Sequence, residues 1–223
     1  MFEDLDRFKS KTIPDSFSIW GQVVLHRVSL PLSWLFIRLK VSPNGVTLLS
    51  LIVGLGGCVC FLQLHSIIPN RELMFFGLVA LNLWGVLDCC DGVVARATNQ
   101  ASSVGAFFEA LTGEVVVAFL FLSVGIGSMY AVLGAWCSLF YGFTRAVFTH
   151  KEAAETRFFK GGTGMLLKLA YNLTNADGVV FLLIPFTVLN RLDLFLMVHG
   201  LLSPASFCFA FMNHVHLLKE RVV

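Results

Sequence analysis

The chain has 223 residues, of which 57% are hydrophobic and 13% charged, and its mean hydropathy is +0.79. Soluble domains carry about 25% charged and about 45–50% apolar residues, so the composition excludes an ordinary soluble fold and points to an integral membrane protein. The formal net charge is only +2, which offers no broad basic surface for nucleic acid, and no such partner is expected.

The opening stretch MFEDLDRFKSK is polar and lacks the short basic start and apolar core of a cleavable signal peptide, so none is expected. Segment 15–40 carries Trp20, Arg27, Trp34, Arg38 and Lys40, with Pro14 just before it and Pro31 inside it. Aromatic and basic residues mixed in this way suit an amphipathic helix lying in the membrane interface; a seventh span is the competing reading. A spanning helix needs about 20 mostly apolar residues, and six such stretches follow, at roughly 45–63, 73–96, 103–123, 128–148, 163–189 and 194–217. Ser42-Pro43-Asn44 opens the first, and Gly125-Ile126-Gly127 reads as the turn before the fourth. The expected fold is therefore all-α and integral to the membrane, six transmembrane helices preceded by an N-terminal interfacial helix. It forms one domain: 1–41 cytoplasmic or interfacial, 42–217 the bundle, 218–223 a cytoplasmic tail.

With six spans both termini share a side. Of the 16 Lys and Arg residues, only Arg71 and Arg191 then fall on the opposite one. The positive-inside rule places the termini, and the 88–114 stretch, at the cytoplasmic face. The six cysteines all sit in apolar runs without zinc-ligand spacing and read as small hydrophobes.

The charged residues of 88-DCCDGVVARATNQASSVGAFFEALTGE-114 stand where membrane sequences avoid charge. Asp88 and Asp91, three apart, share a helical face, and Ala95 falls on it too. Gly105 and Glu109 share a face of the next helix, and the short turn ATNQASS makes the two helices antiparallel neighbours. Asp88, Asp91 and Glu109 can therefore converge. Converging carboxylates repel unless a cation lies between them, and hard oxygen donors select Mg²⁺, Mn²⁺ or Ca²⁺. Gly92, Ala95 and Gly105 remove bulk beside the carboxylates and leave room for a ligand. The plainer alternative is a structural cluster in which Asp88 and Asp91 pair with Arg96 while small residues serve helix packing.

The stretch resembles the signature of the CDP-alcohol phosphotransferases, also called phosphatidyltransferases: Asp-x2-Asp-Gly-x2-Ala-Arg-x8-Gly-x3-Asp-x3-Asp. Asp88, Asp91, Gly92, Ala95, Arg96 and Gly105 match at that spacing. Ser42-Pro43-Asn44-x2-Thr47 is similar to the Pro-Asn-x2-Thr element that opens the family's first membrane helix. The resemblance implies a transferase that moves a substituted phosphoryl group from a CDP-linked lipid or alcohol donor to a lipid or small-molecule acceptor and releases CMP, in phospholipid or related lipid biosynthesis. It implies two divalent cations, Mg²⁺ or Mn²⁺, held by Asp88, Asp91 and Glu109, and a donor site formed by Asn44, Thr47, Gly92, Ala95, Arg96 and Gly105. It also implies a homodimer with its site facing the cytoplasm.

The match breaks at its end. The third aspartate of the signature is Glu109, and the fourth, the presumed general base, is Gly113. Glu114 is adjacent but about 100° further round the helix; it is the candidate displaced catalytic base. Otherwise the acceptor is deprotonated by another group, or is already anionic, such as a polyprenyl phosphate, and needs no base, or the chain is a non-catalytic scaffold. An anionic acceptor would also admit a different nucleotide-activated donor, such as a nucleotide sugar. Arg145 and Lys168 are candidates for holding an anionic acceptor. Asn172, Asn175 and Asp177 are candidates for lining its pocket, against a plain reading as snorkelling and interhelical hydrogen bonding. Lys151, Arg157 and Lys160 read as a solvated loop, and His199, His214 and His216 as packing or interface residues.

Overall fold

The computed structural model describes residues 24–62, 70–149 and 173–222, and these are helical apart from their connections. In chain order the helices are α1 (His26–Arg38), α2 (Pro43–Leu62), α3 (Arg71–Ala97), α4 (Ser103–Gly127), α5 (Ala131–Thr149), α6 (Ala176–Val188) and α7 (Leu192–Val222). No strand occurs among the described residues.

Four helices are long and apolar enough to cross a membrane: α2, α3, α4 and the Leu192–Met212 part of α7. The apolar stretches Ala131–Val147 of α5 and Ala176–Val188 of α6 are shorter. α5 coincides with the fourth expected span. Of the fifth, only the part from 173 onward lies within the described residues, as does only residue 24 onward of the expected interfacial segment. α7 runs on through the residues expected to form a tail.

Local chemistry sets the helix ends. Four starts are fixed by a side chain that accepts an otherwise orphan backbone N–H: Ser42 Oγ from Gly45 at 3.2 Å, Asn70 Oδ1 from Leu73 at 3.1 Å, Ser102 Oγ from Gly105 at 3.0 Å and Asn175 Oδ1 from Gly178 at 2.7 Å. Four ends share one device. Lys40, Asn99, Met129 and Asn190 take left-handed conformations, with φ of 55°, 56°, 68° and 54°. The next residue's N–H then reaches back to a carbonyl of the last turn, Val41 to Phe36, Gln100 to Ala95, Tyr130 to Gly125 and Arg191 to Phe186. These are Schellman closures built without glycine.

The third of them departs from the sequence reading. Gly125 and Gly127 are helical, and the turn comes after them, at Met129. The reason is packing: a Cβ on Gly125 would stand 2.8 Å from the Cα of Gly134, so these glycines let α4 and α5 touch backbone to backbone. Gly57 and Gly77 do the same for α2 and α3, where a Cβ on Gly77 would lie 2.9 Å from the Gly57 carbonyl.

α2, α3 and α4 form the central packing group, α5 joins on α4, α7 on α5, α1 lies along α3, and α6 touches α3 and α7. The core between them holds Phe61, Leu81, Trp84, Leu120, Phe121, Phe195 and Leu196. Large apolar side chains such as Ile52, Phe75, Phe76 and Phe119 point outward, as lipid-facing surfaces do. The C-terminal end of α3 meets the N-terminal ends of α2 and α4, which brings the charged stretch beside Asn44 and Thr47.

Candidate active site

Asp91 is the best-held carboxylate. It is 2% exposed. The Thr47 hydroxyl donates to its Oδ2 at 2.6 Å, and the Gly92 N–H donates to its Oδ1 at 2.6 Å. Thr47 is itself buried on the first turns of α2, so the Pro-Asn-x2-Thr element and the Asp-x2-Asp element form one unit across two helices. Asp88, one turn earlier on the same face of α3, is the opposite case: its Oδ1 is buried and has no hydrogen-bond partner. Glu109 is half-buried on α4. Asp91 and Glu109 both act on Asp88 with their charge, Asp177 from α6 adds to the repulsion, and Arg145 from α5 opposes it. Arg96 opposes the charges of Asp91 and Glu109. The three carboxylates thus lie within reach of one another's charge, but among the described residues no three His, Cys, Asp or Glu side chains stand together closely enough to hold a metal ion.

The glycines behave differently from one another. The Arg96 guanidinium lies across Gly92, 3.1 Å from where a Cβ would stand, so the space there is filled by a mobile side-chain tip. A Cβ on Gly105 would face the Ser102 hydroxyl at 3.2 Å and Asn44 Oδ1 at 3.8 Å, which puts Asn44 at the mouth shared by α2 and α4. Around Gly113 nothing among the described residues lies within 4 Å of a Cβ. Ala95 is half-buried, and its carbonyl closes the α3 end.

Glu114, next to that open position, is paired with Arg145: Nε to Oε1 is 3.5 Å, with the two side chains 26% and 29% exposed. α4 runs unbroken through 113–114, so no distortion turns Glu114 onto the face of Glu109. Lys168 and Asn172 lie outside the described residues, as do Lys151, Arg157, Lys160 and the side chains of His214 and His216. Asn175 is the N-cap of α6. His199 is fully buried, flanked edge-on by Phe121 and Phe195 with ring centroids 5.1 Å and 4.8 Å away.

Two further charged or titratable groups neighbour the site, Asp177, a candidate pocket-lining residue, and His26, which is not evident from sequence. Asp177 follows a good N-cap, so it reads as an ordinary first-turn acid or a pocket-lining group; no local pattern ties it to Asp88. His26 is masked by its interfacial surroundings. Its Nδ1 is buried without a hydrogen-bond partner, and it sits between the charges of Asp177 and Arg96. Burial pushes the imidazole below its usual 6.5, with Asp177 working in the other direction and Arg96 in the same one.

The carboxylate chemistry fits a divalent cation. The donors are hard oxygens, Asp88 keeps an unpaired buried oxygen, and Mg²⁺ needs few protein carboxylates because water and substrate phosphates complete its shell. Asp88, Asp91 and Glu109 are the residues that would hold it.

Comparison with known proteins agrees with the motif. The family model described as CDP-alcohol phosphatidyltransferase matches residues 40–211. A protein of Archaeoglobus fulgidus named "Bifunctional IPC transferase and DIPP synthase" is 27% identical over 164 residues, 70% of this chain and 29% of that protein. An uncharacterized protein of Aquifex aeolicus is 34% identical over 97 residues, 43% of this chain and 45% of its own length. The chain thus covers less than half of either relative.

Proposed function

The chain belongs to the CDP-alcohol phosphatidyltransferase family, and from that premise we propose that it is a divalent-metal-dependent membrane transferase whose acceptor is already anionic. The family supports phosphoryl transfer from a CDP-linked alcohol. On this reading Asp88, Asp91 and Glu109 would hold the divalent cations, two ions of Mg²⁺ or Mn²⁺, which would supply charge neutralisation for transfer at phosphorus. Thr47 and the Gly92 N–H fix Asp91, Gly92 and Gly105 keep the entrance narrow-walled but open, and Asn44 and Arg96 face the nucleotide. Arg145, with Lys168, holds the acceptor's anionic group, and CMP leaves. We place the work in lipid biosynthesis at the cytoplasmic face, in a six-span homodimer with α1 in the interface; the distribution of Lys and Arg supports that sidedness.

The observation that carries the choice of acceptor is the surroundings of Gly113. The position where the family signature has its last aspartate has no described residue within 4 Å of a Cβ, and the adjacent carboxylate is paired with Arg145. A neutral alcohol would need a base there; an anionic oxygen would not.

Titration of the purified protein with CDP in the presence of Mg²⁺ tests the donor half. Asp91→Asn is expected to abolish binding, and EDTA to do the same until Mg²⁺ or Mn²⁺ is restored. Unchanged CDP affinity in both cases would refute the metal-held donor site.

A further inference from the structure

We propose that the outward face of α1 docks anionic phospholipid headgroups, and that the docked headgroups hold this helix against the Asp88–Asp91 turn of α3. The inference rests on the interfacial placement of α1 given above. It adds the class of lipid that the helix meets and what that contact does.

The helix and its flanks present three strips. Leu25, Ser29 and Ser33 form the inward one, each 3% exposed or less. Val28, Leu35 and Leu39 form an apolar strip, between 43% and 63% exposed. Arg27 and Arg38 form a basic strip: eleven positions apart, they fall within about 20° of each other round the helix. Both are exposed, as is Lys40 just past the helix end. The Arg38 guanidinium lies 4.1 Å from the centre of the Trp34 ring. An amphipathic indole therefore stands beside the basic strip, as it does where headgroups meet acyl chains.

A partner for this face must offer an apolar layer and an anionic layer side by side. A leaflet that contains anionic lipid does so: the apolar strip sinks into it while the cationic groups stay at the phosphates. A soluble polyanion would leave Val28, Leu35 and Leu39 in water.

The inward strip carries the effect to the site. The thiol of Cys90, which lies between Asp88 and Asp91 in sequence, donates to the Ser29 carbonyl at 3.4 Å. Leu25, Val46, Val86 and Cys90 form a small core of their own, with Phe36 packed against it. Val46 precedes Thr47, whose hydroxyl donates to Asp91 at 2.6 Å. α1 thus packs beside both halves of the Thr47–Asp91 tie. Serine at two central buried positions gives this packing little apolar area, so contact with the leaflet decides how firmly the helix stays down.

Snorkelling alone accounts for basic residues on an interfacial helix. It predicts no effect of lipid charge on what lies beneath the helix, so the two accounts separate. The experiment places the purified full-length protein in nanodiscs of phosphatidylcholine, alone or with added phosphatidylglycerol. Two readouts are taken with no donor or metal present. One is the association of spin-labelled phosphatidylglycerol relative to spin-labelled phosphatidylcholine. The other is the rate at which N-ethylmaleimide labels Cys90, located by mass spectrometry. Cys90 is fully buried and bonded to α1, so its labelling reports the helix lifting. Wild type is expected to prefer phosphatidylglycerol and to label more slowly at Cys90 in discs that contain it. A basic group beside an anionic surface contributes about fivefold in affinity. Removing three, in Arg27→Gln/Arg38→Gln/Lys40→Gln, should therefore abolish both effects. Arg27→Lys/Arg38→Lys should keep both, as should Arg71→Gln, an exposed charge at the far end of α3. A triple variant that retains the preference, or a wild type whose Cys90 labelling ignores lipid charge, overturns the inference. If the triple variant does not fold, Arg27→Gln and Arg38→Gln singly make the same comparison. Neither readout involves donor or cation, so a failure here leaves the metal-held donor site standing, and a failure of CDP binding leaves this test intact.

Discussion

Glu114→Gln separates the two accounts of the missing base. The substitution keeps shape and removes the charge that faces Arg145 at 3.5 Å. At an effective dielectric of about 20 the gross attraction at that distance is on the order of 5 kcal/mol. Both side chains are more than a quarter exposed, however, and pairs of that kind contribute about 0–1 kcal/mol net. The fold should therefore lose at most about 1 kcal/mol, read as a small fall in the thermal midpoint in detergent. If Arg145 seats an anionic acceptor, releasing it from Glu114 leaves kcat within about fivefold of wild type and lowers the acceptor KM by up to about fivefold, the kinetic equivalent of 1 kcal/mol. If Glu114 is the displaced base, kcat falls about 10²–10⁴-fold. The assay is CMP release under saturating donor, with acceptor varied and nucleotide binding measured in parallel. A loss of about 10³-fold in kcat with donor and metal binding intact would refute the anionic-acceptor reasoning. Gly113→Asp is the companion variant. No described residue lies within 4 Å of a Cβ there, so the side chain should be accommodated, and it should slow the reaction by placing negative charge beside the acceptor anion.

Further outcomes follow from the same contacts. Thr47→Val takes the 2.6 Å donor from an Asp91 that is 2% exposed; an unpaired buried acceptor of this sort costs about 1–3 kcal/mol, visible as a lower midpoint that saturating Mg²⁺ partly restores. Gly77→Ala forces a methyl to 2.9 Å from the Gly57 carbonyl and should destabilise by about 1–3 kcal/mol through overpacking, measured as faster thermal inactivation with the donor KM unchanged. His26 is held below 6.5 by burial, so the native state resists its protonation. Stability is full above the unfolded value of 6.5 and falls as the pH drops through 6.5 toward the lower folded value. His26→Gln should flatten that part of the pH–stability curve relative to wild type, and an identical slope in the two proteins would remove His26 from the account.

How much of this could be read beforehand depends on the range of the interaction. The tie between Asp91 and Thr47 was legible as two short motifs at the ends of neighbouring helices, and the helices of the first four expected spans follow from unbroken apolar runs. The turn near Gly125 was misplaced because glycine has two uses: in water it ends helices, whereas in a membrane bundle it lets helices touch, and only the partner Gly134 on α5 tells which applies. Met129 then carries the left-handed turn, a role no composition signal assigns to methionine. His26 was illegible for a related reason: it obeys its local grammar as a polar residue of an interfacial helix, whereas Asp177 stood out only as a candidate for lining a pocket. Their neighbours are set by α1 and α6 packing on α3, where Leu25 and Asp177 line one crevice with Leu81 and Gly85, which no spacing rule reaches. The site therefore divides by origin. The signature sets the carboxylates that a short stretch of chain can align, and helix packing decides which further charges those carboxylates must live beside.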